Sequence, residues 1–535
     1  MLRAFGLLLA IGALVLDAQQ VAVPAPGAPA QAQPAAPSPG PPPIRPKPAI
    51  PGAAPVRSCE SLASLELPDT IIDSASVEQG KSGPVCRVTT TVTHPPAGDR
   101  IKVFVALPMQ GWNGRFQATG GGGYAGGSPN NITQPADLGY VASATDTGHV
   151  GGSGSFALDV NGRLNWQLIR DNASLGVHQM TVVSKALTRA LYGTLPRYSY
   201  FNGCSSGGRQ GLMEAQQFPD DYDGILAIAP AINWAQFLPA DFWPQVVMLD
   251  AGNFVPACKA DMATDAAVKA CDAQDGVEDG VLEDPRRCAF DAKTLVGTQT
   301  DGCGAFTSTD AAVIQKIWDG PRRADGAKMW YGLARGAPLT RLAGTTGTPP
   351  TGQPFRIALE WLRYFLLQDP AWDWTTITPA RFEQLFDQSV EQYEAVIGTA
   401  NPDLSRFRQS NGKLLVWHGW SDELIPAEGA IDYFDRVAGR MGGLKDTAKF
   451  MRLFMVPGVG HCGGGPGPLP SGALDALLRW VEDGKAPDVL PAIRRDATGA
   501  VIRSRPLCPY PLVARFKGRG STDHIASFEC RAPLP

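Results

Sequence analysis

The sequence predicts an α/β fold whose core is interrupted by one large insertion. Three observations predict it. Residues 198–215 read as a short strand, a glycine-flanked turn and a helix, built around Gly203-Cys204-Ser205-Ser206-Gly207. Gly224-Ile225-Leu226-Ala227-Ile228-Ala229 is an apolar run without alternation, the pattern of a strand buried on both faces of a parallel sheet. Strand signals then fade from about 232 to 402 and resume at Lys413-Leu414-Leu415-Val416-Trp417-His418-Gly419 and again at 450–456. At 535 residues the chain is too long for one average domain, which fits a core carrying an insertion.

The chain opens with Met1-Leu2-Arg3 and an apolar run over 4–16, too short to span a bilayer, so residues 1–18 read as a signal peptide. Residues 19–57 are almost all Pro, Ala, Gly and Gln, which predicts an extended linker with too little apolar surface to pack. The first part of the core covers 58–231. Ile101-Lys102-Val103-Phe104-Val105-Ala106-Leu107 alternates like a strand, and Trp112-Asn113-Gly114-Arg115-Phe116 leads into a second that ends in four glycines at 120–123. A third strand covers 140–145, and 177–191 has helical spacing through Val182, Val183, Ala186, Leu187 and Ala190. The insertion, 232–402, accumulates aromatics: Trp234, Phe237, Phe242, Trp243, Trp330, Trp361, Phe365, Trp372 and Trp374. The second part of the core, 403–535, holds the late strands and an amphipathic helix over 473–481. No later segment reaches about 18 uninterrupted apolar residues, so the mature protein is expected to be soluble and not membrane-bound. A net charge of −4 offers no case for nucleic acid or an anionic membrane surface. Ten cysteines without a CxxC pair or zinc spacing fit disulfides and an oxidising compartment, so the chain is expected to be secreted or periplasmic.

The stretch at 203–207 is a G-x-S-x-G nucleophile elbow in the strand–turn–helix context that the motif needs. A serine nucleophile requires a base and the base an orienting acid, and in α/β hydrolases these follow in the order Ser, acid, His. Of six histidines, His461 in Gly458-Val459-Gly460-His461-Cys462-Gly463 follows a late strand on a loop able to present an imidazole. His418 lies within a strand–turn and reads as a pocket or structural residue. Asp422 in Gly419-Trp420-Ser421-Asp422 directly follows a strand and is the acid, with Glu423 the weaker neighbour. Cys204 adjoins the nucleophile and Cys462 the base, so a triad would bring the two sulfurs within bonding reach. An oxyanion hole needs two backbone N–H donors. Ser206 supplies one, and the glycine run at 120–123 is the candidate for the other.

Within the insertion, Cys271-Asp272-Ala273-Gln274-Asp275-Gly276-Val277-Glu278-Asp279-Gly280-Val281 spaces carboxylates around glycines, a pattern suited to Ca²⁺. Asp272, Asp275 and Asp279 would bind by side chain, Val277 and Val281 by carbonyl, and the role would be structural.

Taken together, these stretches and Arg505-Pro506-Leu507-Cys508-Pro509-Tyr510-Pro511 resemble the tannase and feruloyl esterase family, which includes the mono(2-hydroxyethyl) terephthalate hydrolase. The resemblance covers the mature chain. It implies an α/β-hydrolase core with an inserted calcium-bound lid, a triad of Ser205, Asp422 and His461, and an oxyanion hole from the backbones of Gly123 and Ser206. It also implies disulfides Cys204–Cys462, Cys59–Cys86, Cys271–Cys288 and Cys508–Cys530, which leaves Cys258 with Cys303. The terephthalate enzyme has Glu where this chain has Ser206, and its carboxylate-binding arginine has no clear counterpart here. The expected activity is therefore ester hydrolysis of small aromatic acyl esters, feruloyl or galloyl, with the terephthalate monoester as alternative and no redox cofactor. A secreted calcium-stabilised binding protein without turnover is the reading from another class. The retained serine, acid and histidine speak against it.

Overall fold

Apolar runs that lack alternation must bury both faces, and the central sheet does this. The computed structural model describes residues 45–533, so the expected signal peptide and most of the expected linker lie outside the described residues. Nine strands form the sheet: β1 (Thr70–Gly80), β2 (Gly83–Val92), β3 (Ile101–Pro108), β4 (Arg115–Thr119), β5 (Val141–Thr145), β6 (Tyr198–Cys204), β7 (Gly224–Ile228), β8 (Lys413–Gly419) and β9 (Met451–Val456). Their order is β1-β2-β3-β5-β4-β6-β7-β8-β9. Pairing is antiparallel from β1 through β3 to β5 and parallel from β5 to β9. This is the α/β-hydrolase fold.

Two layers of helices cover the sheet. Phe201, Ile225, Leu414, Val416 and Leu453 point to a core shared with α1 (Gly176–Tyr192) and α2 (Ser206–Gln217). Their neighbours Tyr200, Leu226, Leu415, Trp417 and Phe454 point the other way, onto residues of a late helix at Ala473–Asp483. Successive strand residues face opposite sides, so one apolar run feeds both cores.

Between β7 and β8 the chain is helical, with α3 (Trp234–Asp250), α4 (Ala257–Cys271), α5 (Ser308–Asp319) and α6 (Pro379–Tyr393) joined by loops and two-residue strands. Much of the aromatic content expected there is this segment's own core. Trp234, Phe237, Phe242, Trp361 and Phe365 are buried in one cluster with Tyr124 and Tyr393, and Trp361 stacks on Phe365 at 4.3 Å. After β8 come α7 (Glu428–Arg440) and α8 (Ala473–Asp483). The C-terminal residues add β10 (Leu469–Pro470), β11 (Leu490–Arg495) and β12 (Val501–Leu507) in one small sheet, and the pair β13 (Val513–Phe516) and β14 (Phe528–Arg531).

The ordered body begins before Cys59. Residues expected at the end of the linker lie on the core: the Ala49 amide donates to the Asn113 carbonyl, the Val56 amide to Leu191, and the Arg45 guanidinium to the Asp137 carbonyl. Ile50 packs against Gly114, where any Cβ would meet it within 2.9 Å. Described residues 45–533 belong to one compact unit, without a break between core and insertion.

A part-buried ion pair ties the sheet to α8. Arg115 on β4 donates to both oxygens of Glu482 (2.7 and 2.6 Å), and the Tyr200 hydroxyl donates to the same carboxylate at 2.7 Å. Removing one member leaves a poorly solvated charge behind. Arg115→Leu is expected to destabilise the fold by about 2–3 kcal/mol, read as a lower denaturation midpoint. An unchanged midpoint would show the pair to be dispensable.

Candidate active site

The parallel half of the sheet places its chemistry at the carboxyl ends of three strands. Ser205 follows β6, Asp422 follows β8 and His461 follows β9. Ser205 has φ +62° and ψ −127°, a strained conformation for a residue with a side chain, as a nucleophile elbow demands. Glycines allow the turn to close. A Cβ on Gly203 would meet the Gly207 backbone at 2.6 Å, and one on Gly120 would meet the Gly207 Cα at 2.4 Å. The loop after β4 and the start of α2 therefore touch backbone to backbone, with the Gly207 amide donating to the Gly121 carbonyl at 3.0 Å.

Asp422 is buried and its carboxylate is saturated. Oδ1 accepts the amides of Leu424 and Ile425, both at 2.9 Å. Oδ2 accepts His461 Nδ1 at 2.9 Å and His418 Nε2 at 3.0 Å. Burial pushes the Asp422 carboxyl up, but the two imidazoles more than reverse this and hold it well below the usual carboxylate range. The same contact acts on His461. Burial disfavours its charged form, Asp422 restores it through charge and hydrogen bond, Glu423 adds to this, and the net effect is a pKa above the ordinary 6.5. Glu423 also accepts the His461 amide at 3.0 Å, so the weaker acid candidate holds the backbone of the base.

All five expected disulfides form: Cys59–Cys86, Cys204–Cys462, Cys258–Cys303, Cys271–Cys288 and Cys508–Cys530. In the second, Cα atoms 5.9 Å apart join the residue before Ser205 to the residue after His461. The oxyanion candidates are adjacent too. Ser206 opens α2, where the first amides have no intrahelical acceptor, and its hydroxyl donates to the Gly123 carbonyl at 2.6 Å. Gly123, at φ +57°, sits at the tip of a turn closed by mutual hydrogen bonds between Gly122 and Ala125.

The acidic loop at 272–281 is folded on itself and on the C-terminal residues. Asp272 accepts the amides of Asp279, Gly280 and Val281, and Asp275 accepts that of Val277. Asp279 pairs with Arg505 at 2.6 Å and Arg503 at 3.3 Å, both on β12. Burial, with Asp279 and Asp272 adding to it, raises Asp275 to about 6. Burial and the neighbouring Asp275 and Asp279 raise Glu283 to about 8. Asp272, Asp275 and Asp279 are half-buried hard oxygen donors, the donor chemistry that Ca²⁺ takes.

Two further clusters join a histidine to carboxylates away from the triad. His178 Nδ1 lies 2.7 Å from Asp221 beside Glu214, and His94 Nδ1 lies 2.6 Å from Asp99 beside Asp171. Burial raises Glu214 well above the carboxylate range and Asp171 to about 7.

Sequence reasoning left His418 outside the chemistry. Its ring is wholly buried against the carboxylate that orients His461. Glu283, Arg503 and Arg505 were likewise unseen at the acidic loop.

The nine-stranded sheet with helices on both faces, and a strained serine turn after β6, is that of the α/β-hydrolase class. The family described as "Tannase and feruloyl esterase" matches residues 86–531. A probable feruloyl esterase of Arthroderma benhamiae is 44% identical over 461 residues, covering 83% of this chain and 85% of that protein. The mono(2-hydroxyethyl) terephthalate hydrolase of Piscinibacter sakaiensis is 32% identical over 515 residues, 81% of this chain and 82% of that protein. The crystal structure of feruloyl esterase B from Aspergillus oryzae superposes with a TM-score of 0.80 at 27% identity, covering 88% of this chain and 99% of that one. The chain belongs to the tannase and feruloyl esterase family of carboxylic-ester hydrolases.

Neutral His461 is the form that can accept a proton, and its pKa is raised. The acidic limb of kcat/KM is therefore expected to titrate above 6.5, with activity rising as pH rises through it. Asp422→Asn removes the charge that raises it. The variant should lose about 10⁴-fold in kcat and move the limb to lower pH. A limb at or below 6.5 in the parent, unmoved in the variant, would contradict the assignment.

Proposed function

We propose that the protein is a secreted serine esterase that cleaves small aromatic acyl esters, feruloyl or galloyl, through an acyl-enzyme. The observation that carries this is the saturated Asp422–His461 pair, joined through the Cys204–Cys462 bond to a serine in a strained turn. Ser205 Oγ attacks the ester carbonyl carbon while His461 Nε2 takes its proton. The amides of Gly123 and Ser206 receive the negative charge that develops on the carbonyl oxygen. The bond to the alkoxy oxygen then breaks, and His461 returns the proton to the leaving alcohol. Water, deprotonated by His461, attacks the acyl-enzyme and releases the acid and free Ser205. Asp422 keeps His461 in the Nδ1–H tautomer and stabilises the imidazolium without taking the proton.

The substrate class rests on the activities for which the relatives are named. Export is supported by the five disulfides and by the apolar start of the chain. Among the described residues no helix is long and apolar enough to cross a membrane. Calcium would be held by Asp272, Asp275 and Asp279 with the carbonyls of Val277 and Val281. It would offset the mutual repulsion of the loop carboxylates beyond what Arg503 and Arg505 offset at Asp279, and take no part in the chemistry.

The test compares methyl ferulate, methyl gallate and mono(2-hydroxyethyl) terephthalate with the parent enzyme and Ser205→Ala. Turnover of the ferulate or gallate is expected, falling by at least about 10⁴-fold in the variant. Ester turnover that survives in Ser205→Ala would overturn the mechanism, and no turnover of any ester would favour the binding-protein reading. For calcium, chelation should lower the melting temperature and added Ca²⁺ restore it, while initial rates at 25 °C change little. A melting curve indifferent to both would remove calcium from the account.

A further inference from the structure

The oxyanion loop is held by residues that no catalytic step uses. We propose that His149 and Asn172 are positioning residues for the oxyanion hole, clamping the Tyr124 carbonyl and thereby setting the direction of the Gly123 amide. The proposal rests on the functional reading above, in which Gly123 donates to the oxyanion.

The argument follows the peptide planes of the turn tip. A peptide group is rigid, so holding its oxygen fixes the N–H of the next residue. The Tyr124 carbonyl accepts His149 Nε2 at 2.7 Å and Asn172 Nδ2 at 3.1 Å. This plane carries the Ala125 amide, which donates to the Gly122 carbonyl at 3.0 Å. The Gly122 carbonyl in turn shares its plane with the Gly123 N–H. The remaining plane of the tip is held by the Ser206 hydroxyl on the Gly123 carbonyl. Releasing Tyr124 O frees the end of the chain of planes that aims the donor.

Both clamping side chains are themselves fixed. His149 stacks on Phe156 with ring centroids 3.9 Å apart, and its Nδ1 is buried without a hydrogen-bond partner. Burial lowers its pKa and favours the neutral ring, and because a carbonyl can only accept, the contact with Tyr124 places the proton on Nε2. Asn172 lies in a π-helical turn, Asp171–Leu175, of the kind often found at functional sites. Its side chain also reaches Thr147 Oγ1 at 3.2 Å. The carbonyls of Asn172 and Ala173 accept the Arg209 guanidinium at 2.9 and 2.7 Å. Arg209 stands on α2, the helix that Ser206 opens. One network therefore registers both oxyanion donors against each other.

The experiment uses His149→Leu, which removes the donor, and His149→Gln, which keeps an N–H near the same place. Each is assayed with methyl ferulate, with a phenylboronic acid that forms a tetrahedral adduct on Ser205, and with ferulate as product inhibitor. His149→Leu should lower kcat by about 10–100-fold, less than the loss of an oxyanion donor outright. Boronate affinity should fall in step, while KM and the ferulate inhibition constant stay within about twofold, as expected when only transition-state stabilisation is lost. His149→Gln should recover most of both. If His149→Leu does not fold, Asn172→Ala carries the same comparison. Unchanged kcat and boronate affinity would overturn the proposal, as would parallel losses in KM and ferulate binding, which mark a general disruption. Failure of the functional reading would show instead as ester turnover surviving in Ser205→Ala, whatever His149 does.

Discussion

The bond between Cys204 and Cys462 joins two loops that local forces alone would hold poorly. One end sits beside a strained serine and the other beside a histidine in a glycine-rich loop, 258 residues further along the chain. Closing a loop of that length limits the unfolded chain by about 5 kcal/mol in the entropy model. Its larger effect is local. It ties β6 to the loop after β9, two strands separated in the sheet by β7 and β8. The triad geometry can then survive in a segment whose glycines supply little packing. The glycine contacts at 120, 203 and 207 do the complementary work, letting the oxyanion loop approach the elbow closely.

Around that link the site is stiffened by saturation. The Asp422 carboxylate takes four hydrogen bonds, two from backbone and two from imidazoles, so it stays ionised although buried. An unpaired carboxylate in such a place would hold a proton, and this protein shows the contrast. Asp241 is buried with both oxygens unpartnered, and burial, aided by the nearby Asp422 charge, pushes it well above the carboxylate range. Hydrogen bonding favours the anion at Asp422, and its absence favours the neutral acid at Asp241.

The elements that could be read from sequence are those with strong local signals. The strands from β3 to β9 are apolar on at least one face, and the elbow carries its own motif. The hairpin of β1 and β2 passed unnoticed because an edge strand such as Thr70–Gly80 is mostly polar and exposed. The docking of residues 45–57 was equally illegible. A Pro/Ala-rich stretch looks like a linker until the carbonyls of Asn113 and Leu191 are seen to need its amides. In the site, the pairing of Asp422 with His461 could be inferred from order along the chain, while that of His418 could not. A histidine inside an apolar strand reads as packing, and only the fold turns its ring onto Asp422. The same holds for Arg503 and Arg505, whose partner Asp279 lies more than 200 residues away.

The central claim is that a covalent link, and not sequence-local structure, keeps the nucleophile and base in register. The most direct measurement is kcat/KM of a Cys204→Ala/Cys462→Ala double variant on methyl ferulate, taken at a temperature where circular dichroism shows the fold intact. The account predicts a loss of about 10²-fold or more with the fold retained, as a displacement near 1 Å produces. A folded variant with the parent's kcat/KM would contradict it.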